Sequence, residues 1–300
     1  MSISSVIRQV GRGVKGASDL SREDARHVFG KILSKEVSQI ELGAFCIAMR
    51  MKGETALELA GFMDAVSEQL QPLRLASQSR TIVLPSYNGS RKNRNLTPLL
   101  ALQLTKFGFL VIVQGVQSTP DRVTSFEIFQ QLGWPILVDL LGENISDPSL
   151  PLFLSLASVC PALQEVLDIR QQLGLRNSGH VLAKLINPAT DNAWQIVNYT
   201  HPEYPKILEQ YFVIRPGQVV LMRGHEGEPT SSLTRLPEMT FLKDGYLVSK
   251  TDEFRFTDSE NMAGFDLSNH VEFIRRIING QEKMPDAVMK QAELLHLHCV

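Results

Sequence analysis

Cysteine is scarce in this chain. The three present, Cys46, Cys160 and Cys299, are too few and too widely spaced for a disulfide framework, which fits a reducing compartment. No CxxC pair and no HExxH motif occurs, so the common zinc signatures are absent. No apolar run reaches the ~18 residues that a membrane span requires. The N-terminus, Met1-Ser2-Ile3-Ser4-Ser5, has neither a basic segment nor an apolar one behind it. A cytoplasmic protein with no membrane partner is the expectation. A large net charge is missing too: 30 Lys and Arg against 32 Asp and Glu leave −2, which excludes a uniformly cationic, histone-like surface. What remains is an ordinary globular composition. It is 43% hydrophobic and 21% charged over 300 residues, enough for two domains or one large one with a real core.

The near-neutral total hides an uneven distribution. Between Arg74 and Arg122 there are seven basic residues (Arg74, Arg80, Arg91, Lys92, Arg94, Lys106, Arg122) and one acid, Asp121. Between Glu127 and Asp168 there are six acids and no base. Such asymmetry allows one basic and one acidic face, and equally a chance clustering on a solvated surface.

The first seventy residues carry helix signals. Ser38-x-x-Glu41 and Thr55-x-x-Glu58 are capping boxes, and Ser21-x-x-Asp24 is a near match. Apolar stripes at helical spacing follow: Val28, Phe29, Ile32, Leu33; then Ile40, Ala44, Phe45, Ala48, Met49; then Leu57, Leu59, Ala60, Met63, Val66, Leu70. Gly53 suits the end of the middle helix. From residue 80 the pattern alternates. Strands are expected at Thr81–Leu84, Phe109–Val113, Ile196–Tyr199 and Val219–Gly224, with a further element starting at Trp134–Val138. Helices are expected at Pro98–Phe107, Ser125–Leu132 and Pro161–Leu173. Alternation of this kind predicts an α/β domain with a mostly parallel sheet. Thr240 to Phe256 reads as an antiparallel hairpin turning at Lys243-Asp244-Gly245. The expected division is a helical bundle over 1–74, joined by a returning helical segment near 160–185, and an α/β domain over 75–300.

Several stretches resemble a known family. Ser38-Gln39-Ile40-Glu41-Leu42-Gly43-Ala44-Phe45 with Met49-Arg50-Met51-Lys52-Gly53-Glu54-Thr55, and Arg170-Gln171-Gln172-Leu173-Gly174-Leu175-Arg176-Asn177 closing at Ile186-Asn187-Pro188, are similar to motifs of the anthranilate phosphoribosyltransferases. Ala287–Leu295 resembles that family's late helix. The resemblance runs in the same order over nearly the whole chain. It implies a fold of the nucleoside phosphorylase class, glycosyltransferase family 3: a helical domain beside an α/β domain, a phosphate cleft between them, and a dimer through the helical domains.

The departures from that family carry the functional expectation. Its Gly-Thr-Gly-Gly-Asp loop, whose glycines let amides approach a pyrophosphate, reads here Pro85-Ser86-Tyr87-Asn88-Gly89-Ser90-Arg91-Lys92. Its Lys-His-Gly-Asn-Arg loop reads Val113-Gln114-Gly115-Val116-Gln117. Its adjacent Asp-Glu magnesium pair reads Arg223-Gly224-His225-Glu226-Gly227-Glu228-Pro229. These stretches, with Asn95–Leu100, Gly174–His180 and Tyr199-Thr200-His201-Pro202, are similar to a divergent branch, the YbiB-type nucleic-acid-binding proteins. Gln114 stands where that branch is expected to have His.

This resemblance implies a non-catalytic homodimer that binds DNA or RNA, single strands included, with little sequence preference. The expected phosphate-binding residues are Tyr87, Arg91, Lys92, Arg94, Arg122, Arg170, Arg176, Lys184 and Arg223. Each has a structural alternative. Tyr87 either stacks on a base or packs in its loop. Arg170 and Arg176 either reach the cleft or pair with the acidic 127–168 region. No cofactor is expected. The alternative function is an active pentosyltransferase of the anthranilate phosphoribosyltransferase type, with magnesium on Glu226 and Glu228. A sensor of phosphorylated metabolites using the same cleft is a third possibility.

Overall fold

The computed structural model describes residues 2–13, 15–71, 73, 80–137, 149–189, 193–257 and 266–299. Four helices open the chain: α1 (Ile3–Val10), α2 (Arg22–Leu33), α3 (Gln39–Lys52) and α4 (Ala56–Ser67). Their starts are fixed locally. Ser21 Oγ accepts the Asp24 amide, and at Ser38/Glu41 and Thr55/Glu58 both halves of the capping box are made. Glu58 does more than cap. Its fully buried carboxylate also accepts the Leu20 amide at 2.9 Å and the Lys52 ammonium at 2.8 Å, tying three segments together. Helices α2 and α4 cross closely because Gly61 has no side chain; a Cβ there would lie 2.2 Å from the Arg22 carbonyl oxygen. Phe29 and Phe62 pack across this crossing with ring centres 5.0 Å apart.

The apolar stripes need one correction. Helix α3 buries Leu42, Phe45, Cys46 and Met49, whereas Ile40 is 85% exposed and Ala44 is also exposed. The helix carries two apolar faces, and only the i, i+3, i+4, i+7 set starting at Leu42 meets α4 and its neighbours. Leu57 is likewise on the outside of α4.

The remainder alternates as β1 (Thr81–Ser86), α5 (Thr97–Lys106), β2 (Leu110–Gly115), α6 (Ser125–Leu132), β3 (Ile136–Leu137), β4 (Leu152–Ser155), α7 (Leu156–Val159), α8 (Pro161–Asp168), α9 (Arg170–Leu173), α10 (Gly179–Leu185), β5 (Ala193–Tyr199), α11 (Tyr204–Ile214), β6 (Gln218–Arg223), β7 (Arg235–Leu236), β8 (Met239–Lys243), β9 (Tyr246–Lys250), β10 (Phe254–Arg255), α12 (Leu267–Ile278) and α13 (Asp286–His298). Eight of the described strands form one sheet in the order β3-β4-β2-β1-β5-β6-β8-β9, parallel from β3 to β6 and antiparallel beyond it. Both faces are covered, so its central strands are continuous apolar runs; β1 and β2 are buried at every position. Helices α8, α10 and α11 lie against α2 and α4, which joins the later segment to the bundle.

Two expected elements divide differently. The segment from Pro161 to Leu173 is two helices meeting at Ile169, and Gly174 ends the second at φ +70°. The hairpin turning at Asp244-Gly245 contains only β8 and β9; β10 pairs with β7 in a separate ribbon. The expected domain boundary at residue 74, Arg74 itself and the acids Asp139, Glu143 and Asp147 fall outside the described residues.

Candidate functional site

Strand β1 has β2 on one side and β5 on the other, so the chain crosses from one half of the sheet to the other beside it. In an open α/β sheet this switch point leaves a crevice beyond the carboxyl ends of the strands, where ligands bind. Here the helical bundle roofs the crevice. Between them lies a cavity of about 220 Å³, whose lining includes Arg50 from α3, Asn88 after β1, Arg176, His180 and Lys184 around α10, and Tyr204 from α11.

The turn after β1 points a series of donors in one direction. The amides of Asn88 and Gly89 donate to Glu228 Oε1 at 2.9 and 2.8 Å, and the Thr97 hydroxyl donates to Oε2 at 3.1 Å. The Ser86 hydroxyl donates to the same Oε2. Two residues on, the Arg91 and Lys92 amides donate to Glu226 at 2.5 and 3.0 Å, and Asn93 Nδ2 adds a third donor at 2.7 Å. Gly89 takes φ +65° to allow this curl, close against Val123. Both carboxylates come from one short loop between β6 and β7. Glu226 itself sits at φ +51°, a left-handed conformation that costs of order 1 kcal/mol for a residue with a side chain. Next to it Gly227, at φ +87°, lies so near Asn88 that a Cβ would fall 1.4 Å from its Nδ2.

Positive charge surrounds this turn. Arg176 Nη2 donates to Asn88 Oδ1 at 2.5 Å, and Arg122 Nη1 donates to the Gly89 carbonyl at 3.0 Å. Lys184 Nζ donates to the Gly227 carbonyl at 3.2 Å, and Asn198 Nδ2 donates to the same oxygen at 2.5 Å. Burial lowers the Lys184 ammonium to about 8, with Glu228 opposing the shift. Burial, then the positive charges of Arg170, Arg122 and Arg50, lower Arg176 to about 10. His180 is held at about 3, by burial first and then by Arg176 and Arg170. Arg176, on the cavity wall with Arg50, thus feels the positive charge of three other guanidinium groups. None of the four is in an ion pair with an acid among the described residues, whereas Arg22, Arg26, Arg215, Arg235, Arg255 and Arg276 all are. Glu54 lies in the same cavity, but its oxygens accept the hydroxyls of Ser178 at 2.6 Å and Tyr204 at 3.2 Å.

The expected site residues therefore separate into groups. Arg176 and Lys184 line the cavity, while Arg122 and Arg170 are not among its lining residues but lie near enough for their charges to act on Arg176. Arg91 and Lys92 present their backbone amides to Glu226 while their side chains are exposed. Arg94 is turned elsewhere: its guanidinium lies 4.1 Å from the Phe273 ring centre and donates to the Asn269 carbonyl. Arg223 lines a different, polar cavity with Asn93, His225 and Thr230. Tyr87 is buried, and its hydroxyl accepts Gln114 Nε2 at 2.6 Å. A stacking platform needs a free ring face, so the packing alternative describes Tyr87, and Gln114 in place of His serves to hold it. The composition of the chain gave no sign of Arg50 as part of the cluster; it sits in the Met49–Thr55 stretch, at the end of α3.

Glu226 and Glu228 do not fit magnesium. A carboxylate offers about four acceptor sites, and on Glu228 the four donors named above fill them, two to each oxygen. The Glu226 oxygens each accept at least two donors as well. Among the described residues no group of three His, Cys, Asp or Glu is placed to hold a metal ion. No helix there is long and apolar enough to cross a membrane.

Comparison with known proteins agrees with this architecture. Residues 4–69 match the helical bundle domain of a glycosyl transferase family. The uncharacterized protein YbiB of Escherichia coli (strain K12) is 35% identical over 302 residues, covering 97% of this chain and 92% of its own. The anthranilate phosphoribosyltransferase of Saccharopolyspora erythraea is 23% identical over 285 residues, 92% of this chain and 80% of the enzyme. The crystal structure of the anthranilate phosphoribosyltransferase from Thermus thermophilus superposes with a TM-score of 0.74 at 22% identity, over 97% of this chain and 86% of the enzyme.

Proposed function

We propose, on the premise that the chain belongs to the YbiB family within the anthranilate phosphoribosyltransferase-like superfamily, that it binds nucleic acid with little sequence preference and does not transfer phosphoribosyl groups. The observation that carries this reading is the clustering of Arg50, Arg122 and Arg170 around Arg176, with Arg50 and Arg176 on the cavity wall and none of the four ion-paired to an acid among the described residues. Like charges held together store repulsion that a polyanion relieves. Guanidinium groups suit phosphate because they present a planar fork of donors. Exposed Arg91 and Lys92 extend the basic surface from the crevice along the turn.

A salt-titrated oligonucleotide binding assay tests the reading. Each phosphate contact to a single strand contributes about −0.7 to the slope of log affinity against log salt. Four contacts give a slope near about −3, and a flat response, or no binding at low salt, refutes the proposal.

The cavity beneath the bundle and the matched transferases favour a second reading, phosphoribosyl transfer. Against it stands the turn after β1: its Asn88, Gly89, Arg91 and Lys92 amides are already bonded to carboxylates, and Glu228 has no acceptor site left for magnesium. Turnover of anthranilate and phosphoribosyl pyrophosphate by the same preparation, with magnesium present, would establish it.

A homodimer through the helical domain belongs to the same proposal. Ile40, Ala44 and Met51 form an outward apolar stripe on α3, with Leu57 nearby in sequence on α4, and contiguous apolar surface of this kind is typical of association sites. Sedimentation of the wild type beside Ile40→Glu checks it.

A further inference from the structure

The turn after β1 is built like a site for an anion, and its anion is part of the chain. Four backbone amides, of Asn88, Gly89, Arg91 and Lys92, converge on carboxylate oxygens, assisted by the hydroxyls of Ser86 and Thr97 and the side-chain amide of Asn93. Successive amides curled around a concavity are how proteins hold phosphates. At the exposed Arg91 and Lys92 water could satisfy the amides, whereas the buried Asn88 and Gly89 amides need an acceptor from the chain or a ligand. Here two negatively charged side chains are delivered from more than 130 residues away, one of them completely buried. The delivery is itself built into the backbone, through the left-handed Glu226 and the side-chain-free Gly227 seated against Asn88.

We propose that Glu226 and Glu228 are the resident anions of this turn: they exclude diphosphate groups from it and leave the arginine cluster as the place where an external phosphate binds. The second clause rests on the nucleic-acid reading; the first does not. The chemistry is direct competition. A diphosphate entering the turn must displace both carboxylates from their donors, and it would then face two negative charges released nearby.

The test is anion rescue of the full-length chain. Glu228→Ala opens a space lined by the donors of Ser86, Asn88, Gly89 and Thr97. Its thermal stability should fall, and formate should restore it in a concentration-dependent way that chloride at equal ionic strength does not reproduce. Glu228→Gln fills the same space and should show no formate effect. Should Glu228→Ala fail to fold, Glu226→Ala carries the same measurement, because Glu226 is only half-buried. By calorimetry, inorganic pyrophosphate should bind Glu226→Ala/Glu228→Ala at least about tenfold more tightly than it binds the wild type, a gain of about 1.4 kcal/mol. The proposal is overturned if formate stabilises none of the alanine variants beyond chloride, or if the wild type binds pyrophosphate as tightly as the double variant. Oligonucleotide binding on the same samples separates the two readings: its absence in the wild type removes the nucleic-acid proposal and leaves the rescue result standing.

Discussion

Two sets of anion-binding groups meet at Asn88, and they are in opposite states. On one side its main-chain amide belongs to the turn whose Asn88, Gly89, Arg91 and Lys92 amides end on Glu226 or Glu228. On the other its side-chain oxygen accepts Arg176, one of four arginines whose charges are not ion-paired among the described residues. The difference is one of origin. Amides in a tight turn have fixed directions, so a carboxylate from a neighbouring loop can be fitted to them once and for all. Guanidinium groups on α3, on α9 and in the loops before α6 and α10 come from separate elements, and the acid that shares their cavity, Glu54, is engaged by the Ser178 and Tyr204 hydroxyls. Satisfaction from within and demand from without therefore share a single residue.

The contrast can be broken from either side. The largest effect expected is from Glu228→Ala, since removing one partner of a buried, hydrogen-bonded charge costs about 3–5 kcal/mol; chemical denaturation should show it as a lower midpoint with an unchanged slope. Next, removing three of the arginines together (Arg50→Ala, Arg170→Ala, Arg176→Ala) should weaken single-stranded oligonucleotide binding by roughly a hundredfold at low salt and flatten the salt slope by about 2. Stability should change little or rise, because the repulsion is relieved.

A smaller effect follows from pH. Burial, with Arg176 and Arg170, keeps His180 at about 3 in the folded protein, while an unfolded histidine titrates near ~6.5. As pH falls below the unfolded value, the unfolded chain takes up the proton first. Stability is thus fully present above about 6.5 and declines towards about 3, by of order 2 kcal/mol at about pH 4–5. His180→Gln should flatten that part of the pH–stability curve. The smallest change expected is from Arg94→Ala, which removes the contact with Phe273 worth about 1 kcal/mol and should leave oligonucleotide affinity where it was. A large affinity loss there would mean that the boundary between structural and ligand-facing cations is drawn wrongly.

Much of this was legible in the residues. Capping boxes at Ser38 and Thr55 act through neighbours three positions away, so they can be read directly, as can the apolar strands at the sheet centre. The bundle-plus-sheet architecture followed from that alternation and from the motifs around Ser38 and Arg170. Long-range partners could not be read. Nothing near Arg94 announces Phe273, and nothing near Arg91 announces Glu226, since both pairings depend on how distant loops dock. Ile40 misled for a related reason: its helix has apolar residues on two faces, and periodicity alone does not say which face finds a partner. The Glu-Gly-Glu stretch invited a metal reading because a sequence shows that carboxylates are present without showing that their lone pairs are already engaged.

The loop bearing Glu226 and Glu228 is moored at its middle residue: the Gly227 carbonyl accepts both Lys184 and Asn198. Two stoppers flanking this mooring, with the Glu226 carbonyl held in addition by Asn88 Nδ2, cannot be drawn one at a time without bending the loop against its mooring. A displacement of the loop would therefore release four amides together, and Lys184 is the cation that helps hold it in place.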